Sequence, residues 1–179
     1  MNLRASVGLA LAFLAGCAPT SRMASFGFPD NSCPIAFDSS LFQKVSDTSL
    51  VRATVHDPDS GGMRCAIALA LRPGRHVTVH RVYGSPARPI RRWWALSLPG
   101  SDSSAYRAMY EICPAWNSLD SLVSCELAPG ARLAMGPGQS ASCTGQTGYP
   151  VSDSLQVFLA NPSRDLDTAR CRYGRMEWR

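Results

Sequence analysis

The sequence predicts a mainly β domain, a β-sandwich or small antiparallel barrel, braced by disulfides and carrying one short helix near residues 103–112. Three observations lead to this prediction. Seven or eight short apolar or alternating segments are separated by turns rich in Gly and Pro. Six cysteines lie in the same part of the chain, and a helical period occurs only once. An α+β fold with an antiparallel sheet is the alternative.

The first half of the domain contains four predicted strands, each an alternating or continuous apolar segment between turn signals. In the first strand Val51, Ala53 and Val55 share one face. The turn at 72–74 predicts that the second and third strands form a β-hairpin. The four strands cover residues 50–56, 64–71, 76–83 and 92–98.

A single helix is predicted over residues 101–112, where Ala105 and Met109 share an apolar face. Ser101 or Ser103 is expected to cap its first turn. A short helical or irregular piece should follow near 116–123. The remaining predicted strands, of which the last two should pair and close the domain, are 132–135, 139–143, 155–160 and 168–178.

The cysteines predict three disulfides in an exported domain, because six is an even number and all six follow a predicted cleavage point. Fifteen pairings are compatible with six cysteines. We favour Cys125 with Cys143, since a hairpin between them would bring their ends together. No CxxC pair occurs, so a metal site is not predicted. The six are Cys33, Cys65, Cys113, Cys125, Cys143 and Cys171.

The first sixteen residues form a predicted signal peptide with a basic Arg4 and an apolar stretch, residues 7–15, too short to span a bilayer. The segment ends Leu14-Ala15-Gly16-Cys17, which resembles the lipobox of bacterial lipoproteins. That resemblance implies a diacylglycerol on the Cys17 thiol, cleavage before this cysteine and acylation of its new amine. An ordinary secretory signal followed by a free or paired Cys17 is the alternative.

The lipobox resemblance also predicts a location and a domain organisation. Ala18 follows the cysteine where Asp would imply inner-membrane retention, so the resemblance implies a lipid anchor in the outer membrane. Residues 17–32 are expected to form the lipidated cysteine and a flexible tether rich in Pro, Ser and Gly. Residues 33–179 then form a single domain. Whether this domain faces the periplasm or the outside stays open.

Positive charge is concentrated in the central third of the chain. Residues 60–101 contain seven arginines and no Asp or Glu. The mature chain before this segment has three basic and five acidic residues, and the chain after it has seven and eight. The seven are Arg64, Arg72, Arg75, Arg81, Arg88, Arg91 and Arg92.

The strongest candidate for function within this third is RPIRRWW, residues 88–94. Guanidinium groups match phosphate and carboxylate oxygens, and a Trp ring suits an interface. The expected partners are anionic lipid, lipid A or an acidic protein; the lack of a nucleic-acid-binding module argues against nucleic acid. Alternatively, the arginines are a solvated face and at least one of two adjacent tryptophans lies in the core. The predicted contact set is Arg72, Arg75, Arg81, Arg88, Arg91, Arg92 and Trp93.

No catalytic residue, metal site or cofactor is predicted. The only histidines are His56, His76 and His80. Four residues along a strand span about 13 Å, so His76 and His80 could hold one ion only if the strand bulged. The chain also lacks a GxSxG nucleophile motif and a Lys-containing phosphate loop.

These observations favour a lipid-anchored binding or structural protein over an enzyme. An accessory lipoprotein subunit of an envelope secretion or transport machine is one alternative, and an inhibitor of a host or rival enzyme is another. An envelope hydrolase or toxin-like transferase is the third. A cavity gathering His56 or His80 with a carboxylate and a hydroxyl would favour that enzyme.

Overall fold

The computed structural model describes residues 33–179, which form a mainly β domain with one antiparallel sheet of eight strands. The predicted signal peptide, Cys17 and the tether lie outside the described residues. Three short α-helices and a 3₁₀ turn, Pro114–Trp116, join the strands. In chain order the elements are β1 Phe42–Lys44, α1 Thr48–Arg52, β2 Ile67–Leu71, β3 Thr78–Tyr83, β4 Trp93–Ala95, α2 Ser103–Met109, β5 Ser121–Leu127, β6 Arg132–Pro137, β7 Leu155–Phe158, α3 Pro162–Asp165 and β8 Leu166–Arg175.

The strand order in the sheet is β1-β2-β6-β7-β4-β3-β5-β8, and every neighbouring pair is antiparallel. The predicted hairpin between β2 and β3 is therefore wrong, because three strands lie between them. The predicted closure by the last two strands is also wrong, since β8 pairs with β5. The short helical or irregular piece expected near 116–123 overlaps the start of β5, and this missed strand is the partner of β8.

The core forms where inward-facing side chains from most of the sheet meet in one cluster. Leu69, Leu133, Val79, Val123 and Val157 are fully buried there and come from five different strands. The sheet therefore curls around a common interior. Burying each such side chain stabilises the fold by about 1.5–3 kcal/mol.

The outer face of β2 and β6 is covered by α1 rather than exposed to solvent. Leu50 and Val51 pack on Ala68 and Ala134, whose small side chains let the helix approach the sheet. Two-sided burial explains the continuous apolar run of β2, as the sequence predicted for that segment.

The predicted strand at 50–56 is wrong, because its first residues form α1. The carboxylate of Asp47 accepts a hydrogen bond from Leu50 N at 3.0 Å and so caps this helix. Val51 and Thr54 are buried while Ala53 is exposed, which follows a helical rather than an alternating pattern. The predicted strand at 139–143 is also wrong: it contains only isolated bridges made by Ala141.

Helix α2 confirms the predicted helix, but its cap and its buried face differ from the prediction. Asp102, not a serine, accepts hydrogen bonds from the first turn. Tyr106 is buried, whereas Ala105 and Met109 are exposed. No helix within residues 33–179 has the length and apolar content needed to cross a bilayer.

Three disulfides brace the domain, as the cysteine count predicted, but the preferred pair Cys125–Cys143 is wrong. Cys125 lies at an irregularity between β5 and β8 and pairs there with Cys171, at a Cα–Cα distance of 4.1 Å. Cys143 lies in the long loop after β6 and pairs with Cys113, which follows α2. The third pair is Cys33–Cys65. The sequence did not predict that β5 and β8 are neighbours, so Cys171 was not recognised as the partner of Cys125.

Asp102→Ala should destabilise the domain by about 1 kcal/mol, because two amide groups of α2 lose their acceptor. Urea denaturation of the purified, disulfide-bonded protein measures this change. Ser101→Ala is the matched control and should change stability by less than about 0.5 kcal/mol, since exposed positions outside such contacts tolerate substitution. Equal losses in the two variants would show that the cap is misassigned.

Candidate functional site

The exposed arginines of the RPIRRWW motif lie on the connection between β3 and β4, residues 84–92, which we call the arginine loop. Arg88, Arg91 and Arg92 are all exposed there. None of the three forms an ion pair with any described residue. The Arg92 guanidinium carbon lies 5.9 Å from the centre of the Phe158 ring. The loop thus presents three cations that have no counter-ions within residues 33–179.

Two other arginines of the predicted contact set lie at the opposite end of β3. The Arg72 Nε donates to the carbonyl oxygens of Ser39 and Phe42, at 2.8 and 3.2 Å, and so holds the start of the domain against β2. Arg75 is exposed, and its charge contributes to a lowered pKa at Asp38, whose main cause is a hydrogen bond from Ser40. The six residues of β3, about 20 Å long, separate these two arginines from the arginine loop.

Arg81 is directed into the protein, unlike the other members of the predicted set. Its guanidinium donates to Trp93 O at 2.8 Å and to Arg88 O at 3.2 Å. Burial lowers the pKa of Arg81 to about 10, and the charge of Arg91 adds to this effect against that of Tyr106. Its hydrogen bonds join β3 to β4 where direct pairing between the two strands has stopped.

Trp93 and Trp94 lie on opposite faces of β4, as adjacent residues of a strand must. Trp94 is buried in the core, and its Nε1 donates to Arg91 O at 2.6 Å. Trp93 packs edge-on against Phe158, with ring centres 4.9 Å apart, and is only partly exposed. Both rings therefore support the sheet, while the guanidinium groups of the arginine loop protrude from it.

A cavity of about 230 Å³ opens beside the arginine loop, where β3 and β4 diverge. The two strands pair at a single position, His80 with Ala95, whereas β3 pairs with β5 along its whole length. The C-terminal end of α2 forms one wall of this cavity. Trp93 and His56 contribute to another, with ring centres 6.1 Å apart.

Glu111 is the one carboxylate that lines the cavity among the described residues, and its side chain is only 1% exposed. The Gln156 Nε2 donates to Glu111 Oε2 at 2.7 Å, while Oε1 has no hydrogen-bond partner. A Cβ atom at Gly138 would collide with the carboxylate, so glycine is required beneath it. Burial raises the pKa of Glu111 to about 7, against the opposing influence of Ser152, Gln156 and Arg64.

The backbone places Glu111 where a glycine is usual. The helix α2 ends with a hydrogen bond from Ile112 N to Arg107 O at 3.0 Å, which is the Schellman arrangement. Glu111 occupies the left-handed position of this motif, with φ of 48°. A side chain in this conformation costs about 1–2 kcal/mol relative to glycine. Backbone strain and burial thus coincide at one carboxylate.

The three histidines do not converge on one site. His56 packs over Gly62 in the cavity wall. His80 Nδ1 lies 2.8 Å from Ser124 Oγ on the neighbouring strand, and burial lowers the pKa of His80. His76 is exposed and lies 3.4 Å from Glu126. Within residues 33–179 no three His, Cys, Asp or Glu side chains are grouped to hold a metal ion.

Glu111, His56, His80 and two tyrosines line the cavity. A carboxylate, a histidine and a hydroxyl-bearing side chain in one cavity is the combination that would favour an enzyme. Catalysis by a nucleophile requires a hydroxyl bonded to a base, and a third group that orients the base. The His80–Ser124 contact is a directly opposed cross-strand pair. No described carboxylate bonds to His80 or His56.

Sequence reasoning missed Glu111, because it belongs to no motif and its nearest neighbours in space come from distant segments. The helical pattern gave no signal either, because the helix predicted over residues 101–112 runs through Glu111. Comparisons of the chain with protein-family models, curated proteins and solved structures found no match. The chemistry of the site therefore follows from its own side chains.

Glu111 should make the stability of the domain depend on pH. Its pKa is near 4.5 in the unfolded chain and about 7 in the folded protein, so the folded state holds this proton more tightly. The contribution of Glu111 to the free energy of unfolding should therefore be fully present below about pH 4.5 and decline by roughly 3 kcal/mol as pH rises through 7. Urea denaturation across this range measures the decline.

Glu111→Gln should remove this decline, while Glu177→Gln, at an exposed carboxylate, should leave it unchanged. If Glu111→Gln retains the wild-type dependence on pH, then Glu111 does not titrate in this range.

Proposed function

We propose that this protein is a lipid-anchored envelope protein that binds phosphate-bearing anionic lipid through Arg88, Arg91 and Arg92. One observation carries the proposal: these three guanidinium groups are exposed on one loop and lack carboxylate partners among the described residues. Guanidinium forks bind phosphate oxygens in bidentate fashion. Arg72, Arg75 and Arg81 take no part, because two lie at the far end of β3 and the third bonds to backbone oxygens.

The lipobox supports the anchor, and the three disulfides support export to an oxidising compartment. We propose outer-membrane attachment through Cys17, on the basis of Ala18. Residues 18–32 reach at most about 50 Å at full extension, so a lipid surface lies within range of the domain. Such tethering favours a weak contact with that surface over a contact with a diffusing acidic protein.

The hydrolase or transferase alternative is favoured by one observation, the buried Glu111 in a cavity with His56 and His80. The absence of a nucleophile bonded to an oriented base among the described residues makes it the second candidate. Hydrolysis of a glycosidic bond ordinarily uses two carboxylates, whereas Glu111 is the one carboxylate among the described residues that line the cavity. The accessory-subunit and inhibitor hypotheses remain alternatives supported by the sequence alone.

Replacing the three loop arginines with serine should weaken binding to anionic vesicles on the order of 100-fold, since each arginine near such a surface contributes about 1 kcal/mol. Co-sedimentation of the mature chain carrying Cys17→Ser with phosphatidylglycerol vesicles isolates this contact from the lipid anchor. Raising the salt concentration should weaken wild-type binding in the same assay.

The matched control is the triple variant Arg172→Ser, Arg175→Ser and Arg179→Ser, which removes equal charge from exposed positions without ion pairs to described residues. It should lose far less affinity than the loop variant. Equal losses would indicate a general charge effect and contradict the proposal. Binding to acidic proteins but not to vesicles would replace lipid with a protein partner.

Cys17→Ser should abolish labelling of the protein with radioactive palmitate and release it from the membrane fraction, because the thiol accepts the diacylglycerol. The measurement is fractionation of bacterial cells expressing the full chain. Cys33→Ser serves as the control and should retain the label even if folding is impaired. Labelling that survives Cys17→Ser would show that the anchor is elsewhere or absent.

A further inference from the structure

The cavity beside the arginine loop has an acidic end at Glu111. The carboxylate is buried, and Oε1 lacks a hydrogen-bond partner. The charge of Arg64 acts on it, but Arg64 is already in an ion pair with Asp153. A buried carboxylate oxygen without a partner is costly, so a donor supplied by a ligand would be stabilising.

The opposite end of the cavity is basic. Arg81 has no carboxylate partner among the described residues, and two backbone carbonyl oxygens accept hydrogen bonds from its guanidinium. A guanidinium has five N–H donors, so donors remain for an anion. The charge of Arg81 acts on the phenol of Tyr106, which is buried in the cavity wall.

Two tyrosines of α2 separate the acidic and basic ends. The rings of Tyr106 and Tyr110 are 4.9 Å apart. Burial raises the pKa of both phenols, with Arg81 opposing this at Tyr106 and the charge of Glu111 adding to it at Tyr110. Arg81 lies on β3, and Glu111 is bonded to Gln156 on β7. Strand β4 lies between β3 and β7, so the two charged groups are at opposite ends of this wall. The wall presents opposite charges at the two ends of an aromatic surface.

We propose that this cavity binds a small zwitterion of dipeptide size, with its ammonium group on Glu111 and its carboxylate on Arg81. A volume of 230 Å³ equals that of about eight water molecules, which suits a ligand of roughly ten non-hydrogen atoms. The roughly 10 Å between β3 and β7, which β4 separates, requires several bonds between the charges of the ligand. A dipeptide meets both conditions, and a single α-amino acid is too short.

Charge balance distinguishes a zwitterion from the other ligand classes. A cation would satisfy Glu111 and leave Arg81 without a counter-ion, and an anion would do the reverse. A neutral sugar could bond to both ends but would compensate neither charge. The zwitterion is the ligand that satisfies both buried groups at once.

The backbone supports a role for Glu111 in binding. Its φ of 48° strains a residue that glycine would relax, and Gly138 leaves room for the carboxylate where a Cβ would collide with it. Backbone strain of this kind clusters at functional positions. This inference does not depend on the lipid contact of the arginine loop.

Titration calorimetry of the full mature chain in detergent, near pH 8, tests the proposal with alanyl-alanine as the probe. N-acetyl-alanyl-alanine lacks the ammonium group and alanyl-alanine amide lacks the carboxylate, so each control removes one charge and little else. The free dipeptide should bind, and each blocked form should bind at least about tenfold more weakly, as expected when a buried charge loses its partner.

Glu111→Gln should lower affinity for the free dipeptide by about tenfold or more and also reduce discrimination against the N-acetyl form. Glu177→Gln, at an exposed carboxylate, should change neither. The blocked ligands test the basic end without a substitution at Arg81, whose loss would also break two backbone contacts. The Arg88, Arg91 and Arg92 variants should retain dipeptide binding.

Three results would overturn the proposal: no binding of alanyl-alanine at millimolar concentration, equal binding of the N-acetyl dipeptide, or unchanged affinity in Glu111→Gln. Tighter binding of glucose than of the dipeptide would assign the cavity to neutral sugars instead.

Discussion

The architecture around the site depends on the divergence of β3 from β4 after a single paired position. Beyond it, the carbonyl oxygens of Val82 and Trp93 no longer meet strand partners, and each would cost about 1–3 kcal/mol if buried unpaired. Side chains replace the missing partners: Asn117 Nδ2 donates to Val82 O at 2.9 Å and Arg81 donates to Trp93 O. The sheet can therefore split without leaving these two carbonyl oxygens unpaired.

The same split produces both surfaces to which we assign function. It opens the cavity between α2 and β4, and it allows residues 84–92 to leave the sheet as an exposed loop. Arg81 and Arg88 consequently have different tasks although both belong to one basic segment: the first bonds to the carbonyl oxygen of the second, and the second faces solvent. The concentration of arginines along the chain predicts neither the structural role of Arg81 nor the exposure of Arg88, because strand pairing sets the direction of each side chain.

Local patterns predicted most elements but not their partners. The apolar run of β2, the alternation of β3 and the period of α2 depend on neighbouring residues, so the sequence predicted these elements and the mainly β class. Strand order depends on contacts between distant segments; β5 pairs with both β3 and β8, and no local signal indicates this. Cys125 was misassigned for the same reason. Residues 50–56 fit an alternating strand pattern, but residues 48–52 form a helix that Asp47 caps.

Glu111 illustrates why a candidate functional residue can escape sequence reasoning and yet be conspicuous in a structure. Glycine would relieve its backbone strain, and an apolar side chain would avoid burying a carboxylate with a free oxygen. The protein holds the carboxylate in place nevertheless, with Gln156 bonded to one oxygen and the Cys113–Cys143 disulfide fixing the chain two residues later. A position that costs stability in two independent ways, and is braced by a cross-link, is the basis on which we propose a binding role for Glu111.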